Sequence, residues 1–112
     1  MTGPIFKILS AAEWQAAERA GLFKGAGIDL ADGYIHFSTA EQAAETAAKH
    51  FAGRSDLVLV AVDAARLGPA LTWEVSRGGA LFPHLYGTLA TSDALWVKPL
   101  PLGADGKHRF PL

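Results

Sequence analysis

The chain contains no cysteine. That absence removes disulfides, thiolate nucleophiles and cysteine-ligated zinc from consideration. It also lacks any run near the ~18 consecutive apolar residues of a membrane helix. Charge of one sign is not in excess: ten Lys and Arg stand against eleven Asp and Glu, for a net charge of −1. Proteins that grip extended nucleic acid draw most of their affinity from a basic face. Here no Lys or Arg lies between Lys24 and Lys49, the stretch that holds the most distinctive motif. An extended nucleic-acid partner is therefore not expected. The opening Met1-Thr2-Gly3-Pro4 lacks the basic-then-apolar order of a signal peptide. A reducing cytoplasm, without membrane attachment, is the expected compartment.

What is present is a hydrophobic chain of globular size: 112 residues, 50% of them hydrophobic. Such a length predicts one domain, residues 1–112, with a core over about 4–99 and an extended tail over 100–112. A domain of this size buries roughly two-thirds of its unfolded surface, so one core suffices without covalent staples.

Residues 5–9, Ile-Phe-Lys-Ile-Leu, are apolar on both faces except at Lys7. That pattern predicts a central strand covered on both sides. Ser10 and Glu13 have capping-box spacing, which starts a helix running to about Ala20 and ended by Gly21. Trp14, Ala17 and Leu22 are its expected buried residues. Residues 22–33 read as a glycine-punctuated connection, a flexible link or lid, with no helix opening directly after Gly27. A short strand follows over 34–37. Thr39 and Gln42 form a second capping box, and the helix they start has a small face, Ala43, Ala44 and Ala47, before Gly53 ends it. Residues 57–62 are an apolar buried strand, and Asp63 caps one short turn. Further strands are expected over 71–76, 83–89 and 95–97. Helices early and strands late predict a mixed α+β domain.

Side chains alternate faces along a strand. Ile35 and Phe37 turn to the core, so Tyr34, His36 and Ser38 share the other face. In the same way Glu74 opposes Trp73, and His84 and Tyr86 oppose Leu85. If the three polar faces converge they form one cluster: His36, Ser38, Glu74, His84 and Tyr86. An ordinary wet sheet face would carry Lys, Glu, Thr and Arg. Two histidines, one acid, one phenol and small hydroxyls suit a pocket that orients a ligand.

Each residue also has a plain structural use. His36 could be a buried imidazole bonded to a carbonyl, Glu74 could pair with Arg77, and Ser38 and Thr39 could serve only to cap a helix. Those caps would compete with anion binding for the same free amides. His50 reads as structural near a helix C-terminus, and His108 receives no role. Two histidines and a carboxylate are a facial-triad composition, but no His-x-His or His-x-x-x-His spacing supports one, so no metal is expected. No Gly-x-Ser-x-Gly elbow is present.

The run Asp32-Gly33-Tyr34-Ile35-His36-Phe37-Ser38-Thr39-Ala40-Glu41-Gln42, the pair Trp73-Glu74 and the run Leu81-Phe82-Pro83-His84-Leu85-Tyr86-Gly87 resemble a bacterial family of small proteins, domain of unknown function 952. That family resembles a distant branch of the ADP-ribosyltransferase fold, which includes the RNA 2′-phosphotransferases. Residues 34–38 look like the His-Val-His-Leu-Ser strand of those phosphotransferases. The resemblance implies an ADP-ribosylation-like split β-sandwich of two small mixed sheets, with two main helices in the N-terminal half. It implies a cleft for NAD, ADP-ribose or another nucleotide-like ligand, with NAD a candidate substrate and ADP-ribosyl transfer the candidate reaction. Glu74 and His36 would be catalytic, while Lys7, Ser38, Thr39, His84 and Tyr86 would bind the ligand. Lys7 is the only polar residue on the first strand, where many transferases carry His or Arg. The phosphate-holding arginines of the phosphotransferases are not evident. A non-catalytic binding domain, or a protein-interaction module, would use the same scaffold as a monomer or homodimer.

Overall fold

Apolar runs become strands and capped segments become helices, in the order β1 (Pro4–Ser10), α1 (Ala11–Ala20), β2 (Leu22–Phe23), α2 (Ile28–Asp32), β3 (Ile35–His36), α3 (Ala40–His50), β4 (Leu57–Asp63), β5 (Leu71–Val75), β6 (Leu81–Leu85), β7 (Leu89–Ala90) and β8 (Ala94–Leu100). The computed structural model describes residues 3–112, apart from the side chain of Arg77. The strands form three small sheets, ordered β1-β4-β8, β3-β6-β5 and β2-β7. Every strand pairing among the described residues is antiparallel. The α+β class is as expected. The expected pair of mixed sheets is instead two three-stranded antiparallel sheets and a two-stranded ribbon.

β1 is not central. It lies at the margin of its sheet, and β4 takes the middle. Its apolar double face is nevertheless used, because one hydrophobic cluster holds Ile5 and Leu9 and a second holds Phe6 and Ile8. The free edge of β1 is closed at one point: Phe6 and Ser38 exchange both backbone hydrogen bonds at 2.8 Å. This bridge ties the first sheet to the end of β3. It brings Lys7 close to the segment that carries His36.

The helix starts follow local chemistry. Glu13 N–H donates to Ser10 Oγ at 3.0 Å, and Ser10 N–H donates back to Glu13 Oε1 at 3.1 Å. Gly21 ends α1 in the left-handed region at φ 81°, a conformation that costs glycine little. Trp14 and Ala17 are buried, but Leu22 is exposed and Phe23 is buried in its place. Leu22 starts β2, where successive side chains take opposite faces. Thr39 and Gln42 complete the second capping box at the start of α3. Ala43 and Ala47 are buried while Ala44 is exposed, since the helical turn carries that position off the inner stripe.

Three further expectations are corrected. A helix does open directly after Gly27: α2 occupies part of the glycine-rich connection. It is five residues long, too short to show a helical period. The expected strand over 83–89 begins earlier, at Leu81, and divides into β6 and β7 around Gly87. The tail, expected to be extended, instead folds back on itself in a tight turn: Gly103 N–H donates to the Lys107 carbonyl at 2.7 Å, and Leu102 bridges His108. His108 Nε2 lies 2.8 Å from the Arg54 carbonyl, and Phe110 packs against the second cluster. Among the described residues no helix is long and apolar enough to cross a membrane.

Candidate functional site

The site is built where β3 and β6 pair. His36 and His84 are register partners on those two strands. Thr72 of β5 sits opposite His84, so Glu74 is its diagonal neighbour on the same face, a spacing that long side chains span. His84 Nδ1 lies 2.8 Å from Glu74 Oε1, and the Tyr86 hydroxyl donates to that same oxygen at 2.7 Å. The three polar strand faces therefore do converge. His36, Glu74, His84 and Tyr86 form one group, with the two imidazole centroids 5.3 Å apart.

Tyr34, which shares a face with His36, is the hub of this group. Its ring stacks on His84 at 4.3 Å and lies 4.6 Å from His36 and 5.1 Å from Tyr86. The face-sharing rule placed Tyr34 here, but nothing in the local motif marked it as a site residue.

Sequence reasoning missed the acid that organises the other side. Asp29 of α2 is 3% exposed. It accepts four hydrogen bonds, from Lys7 Nζ at 3.0 Å and from Ala26 N–H, His36 N–H and His36 Nδ1, and its other oxygen lies 2.8 Å from Lys7 Nζ as an ion pair. The His36 ring contact is the shortest, at 2.6 Å. One helical turn on, Asp32 Oδ2 lies 3.0 Å from His36 Nε2. His36 is thus clasped between two carboxylates. Both are acceptors, so a ring carrying two N–H groups satisfies both contacts and a neutral ring only one.

Electrostatics divides the site. Burial acts to raise the Asp29 carboxyl, but the His36 hydrogen bond and the Lys7 ammonium outweigh it and hold the group down to about 2. Burial pushes Lys7 below its ordinary value, and Asp29 opposes that shift only in part. At the other end, the Tyr86 hydroxyl and then His84 hold Glu74 below the usual carboxylate range. The same bond pushes the Tyr86 phenol up to about 12. Burial and the Asp32 and Glu74 carboxylates raise Tyr34.

A cavity of about 450 Å³ opens against this assembly, within the range of small-ligand sites. Lys7, Asp29, Asp32, Tyr34, His36 and His84 form its polar wall; Phe6, Phe37, Phe51 and Phe82 form much of the apolar one. Lys7 points inward beside His36, and its side chain is 8% exposed. Ser38 also lines the cavity but stands apart from the imidazoles, with its hydroxyl 2.9 Å from that of Thr46. Thr39 is used by the cap of α3. Glu74 and Tyr86 stand behind the cavity wall, joined to it through His84. The alternative pairing of Glu74 with Arg77 falls outside the described residues. Among those residues no group of three or more His, Asp or Glu is arranged to hold a metal ion.

Residues 8–97 match the family described as a protein of unknown function, DUF952. The chain is also similar to protein CC0527 from Caulobacter crescentus. The crystal structure of that protein superposes with a TM-score of 0.92 at 55% sequence identity, covering 96% of this chain and 94% of that one. Its solution NMR structure superposes with a TM-score of 0.84 at 57% identity, covering 93% and 90%. No curated protein matches the chain.

Proposed function

The chain belongs to the DUF952 family, and from that premise we propose that the cavity binds a small nucleotide-like ligand such as NAD or ADP-ribose. The observation that carries the reading is the composition of one wall. Tyr34 and His84 offer flat aromatic faces, Asp32 offers an acceptor and Lys7 a donor, all around about 450 Å³. Flat rings pack on aromatic faces, and ribose hydroxyls need both acceptors and donors. Asp32 is suited to a ribose: its side chain is 45% exposed, and among the described residues only its Oδ2 is engaged, by His36.

The scaffold reading goes with the ligand. The two three-stranded sheets, bridged at Phe6 and Ser38 with the cavity beside the bridge, fit an ADP-ribosylation-like split sandwich. ADP-ribosyl transfer is a narrower reading of the same cavity. It assigns Glu74 to stabilise the positive charge that grows on the ribose carbon as nicotinamide leaves. Glu74 stands behind the wall, held by His84 and Tyr86, so in that role it would act on the ligand through His84.

A thermal-shift series with NAD, ADP-ribose and AMP tests the binding reading. A ligand at 100 times its Kd stabilises by about 2.7 kcal/mol, which raises the melting temperature by several degrees in a domain of this size. The expected result is a saturable rise with NAD or ADP-ribose that His36→Ala abolishes, with the unliganded variant still melting cooperatively. A protein-interaction module would show no rise with any nucleotide, and that result would overturn the reading.

A further inference from the structure

The two imidazoles are held in the same way. Each has its Nδ1 fixed by a carboxylate: His36 by Asp29 at 2.6 Å and His84 by Glu74 at 2.8 Å. A carboxylate on Nδ1 fixes both the ring orientation and the tautomer and leaves Nε2 to do chemistry. The rings are register partners 5.3 Å apart on one cavity wall. Their outer nitrogens differ. His36 Nε2 meets Asp32, whereas His84 Nε2 has no hydrogen bond among the described residues. His84 Nε2 therefore has a lone pair open to a proton, whereas His36 meets a carboxylate acceptor at both ring nitrogens and has a place for an N–H at each. Two imidazoles held in these different ways on one wall are the arrangement of an acid–base pair.

We propose that His84 and His36 act as general base and general acid on a nucleoside 2′,3′-cyclic phosphate bound in the cavity, opening it to the monoester. The proposal rests on the nucleotide-binding reading and adds a reaction to it. His84 Nε2 takes a proton from water as the water oxygen bonds to phosphorus. The bond from phosphorus to one ribose oxygen breaks, and that oxygen receives the Nε2 proton of His36. One water is consumed, no oxidant or metal is needed, and proton exchange with solvent resets the two rings. Lys7 donates to Asp29 Oδ1 and pairs with Oδ2, and an ammonium hydrogen not given to Asp29 can meet a phosphate oxygen. Asp32 must leave Nε2 for the substrate oxygen to take its place. Its half-exposed side chain is free to rotate towards solvent.

The groups that face this pair are Lys7 from β1, Asp29 and Asp32 from α2, Tyr34 before β3, Glu74 from β5 and Tyr86 after β6. Positioned acid–base groups are worth about 10²–10⁴-fold in rate.

The test follows 2′,3′-cyclic AMP by phosphorus NMR with the intact chain, from pH 5 to 8. The expected result is conversion to the monoester with a bell-shaped pH dependence. His84→Ala and His36→Ala should each lower the rate at least 10²-fold. Glu74→Gln, which changes the group that holds His84 and Tyr86 but leaves both imidazoles in place, should lower the rate less and displace the limb of the profile that reports His84. Wild-type protein that leaves the cyclic phosphate unchanged across this range would overturn the proposal, as would full activity in either alanine variant. If ADP-ribose still raises the melting temperature while no cyclic phosphate is opened, the binding reading stands and the acid–base pair falls.

Discussion

The two carboxylate–imidazole pairs look alike in distance and differ in nearly everything else. Asp29 is 3% exposed, neutralised by a buried lysine and fed by two backbone amides. Glu74 is partly exposed and shared by a tyrosine and His84, and among the described residues no Lys or Arg is paired with it. A buried carboxylate must be fully paired, because an uncompensated charge in a low-dielectric interior is costly. A carboxylate at the surface is kept by water whatever its neighbours do. Asp29 therefore holds the structure together as well as orienting His36. Glu74 orients His84 and contributes little to stability.

That contrast is open to measurement. Replacing Asp29 by Ala strands the Lys7 ammonium and should cost about 3–5 kcal/mol. Adding Lys7→Met should recover part of the loss, because the stranded charge goes with it. Urea unfolding reads both, and an Asp29→Ala variant no less stable than wild type would erase the contrast. Glu74→Gln should leave the unfolding midpoint nearly unchanged.

Acid separates the pairs more gently. The Asp29 carboxyl sits at about 2 in the folded protein against an ordinary 3.8. A group with a depressed folded value adds stability above its unfolded value and loses it as pH falls towards the folded one. Asp29 should thus contribute about 2 kcal/mol at neutral pH, lost between about pH 4 and pH 2. Unfolding midpoints measured across that window should fall in the wild type, and the fall should shrink in the Lys7→Met/Asp29→Ala double variant.

The smallest effect lies at the exposed pair. The Tyr86 phenol, pushed up to about 12 by its bond to Glu74, should ionise late in an ultraviolet titration. In Glu74→Gln that transition should move down towards the ordinary value near 10.

Much of this was legible in the sequence because it is local. The capping boxes at Ser10 and Thr39 are read from four consecutive residues, and both form. Face alternation joined His36, Glu74, His84 and Tyr86, since a period of two survives any arrangement of the strands. What was hidden depends on contacts across the chain. Asp29 lies 22 residues from Lys7 and 7 from His36, in a five-residue helix too short for periodicity to reveal. The apolar double face of β1 indicated burial on both sides but not a place in the sheet, because the cover on its free edge is one bridge to Ser38. Ser38 kept its face but was drawn to Thr46 of α3, a helix–strand contact that strand alternation alone does not encode.

The claim beneath the whole account is that His36 and His84 face one ligand together. Nitrogen NMR of the four histidine rings during addition of ADP-ribose tests it directly. The ring signals of His36 and His84 should move saturably with a single affinity. If either ring stays still, or if the two move with different affinities, the shared site is contradicted.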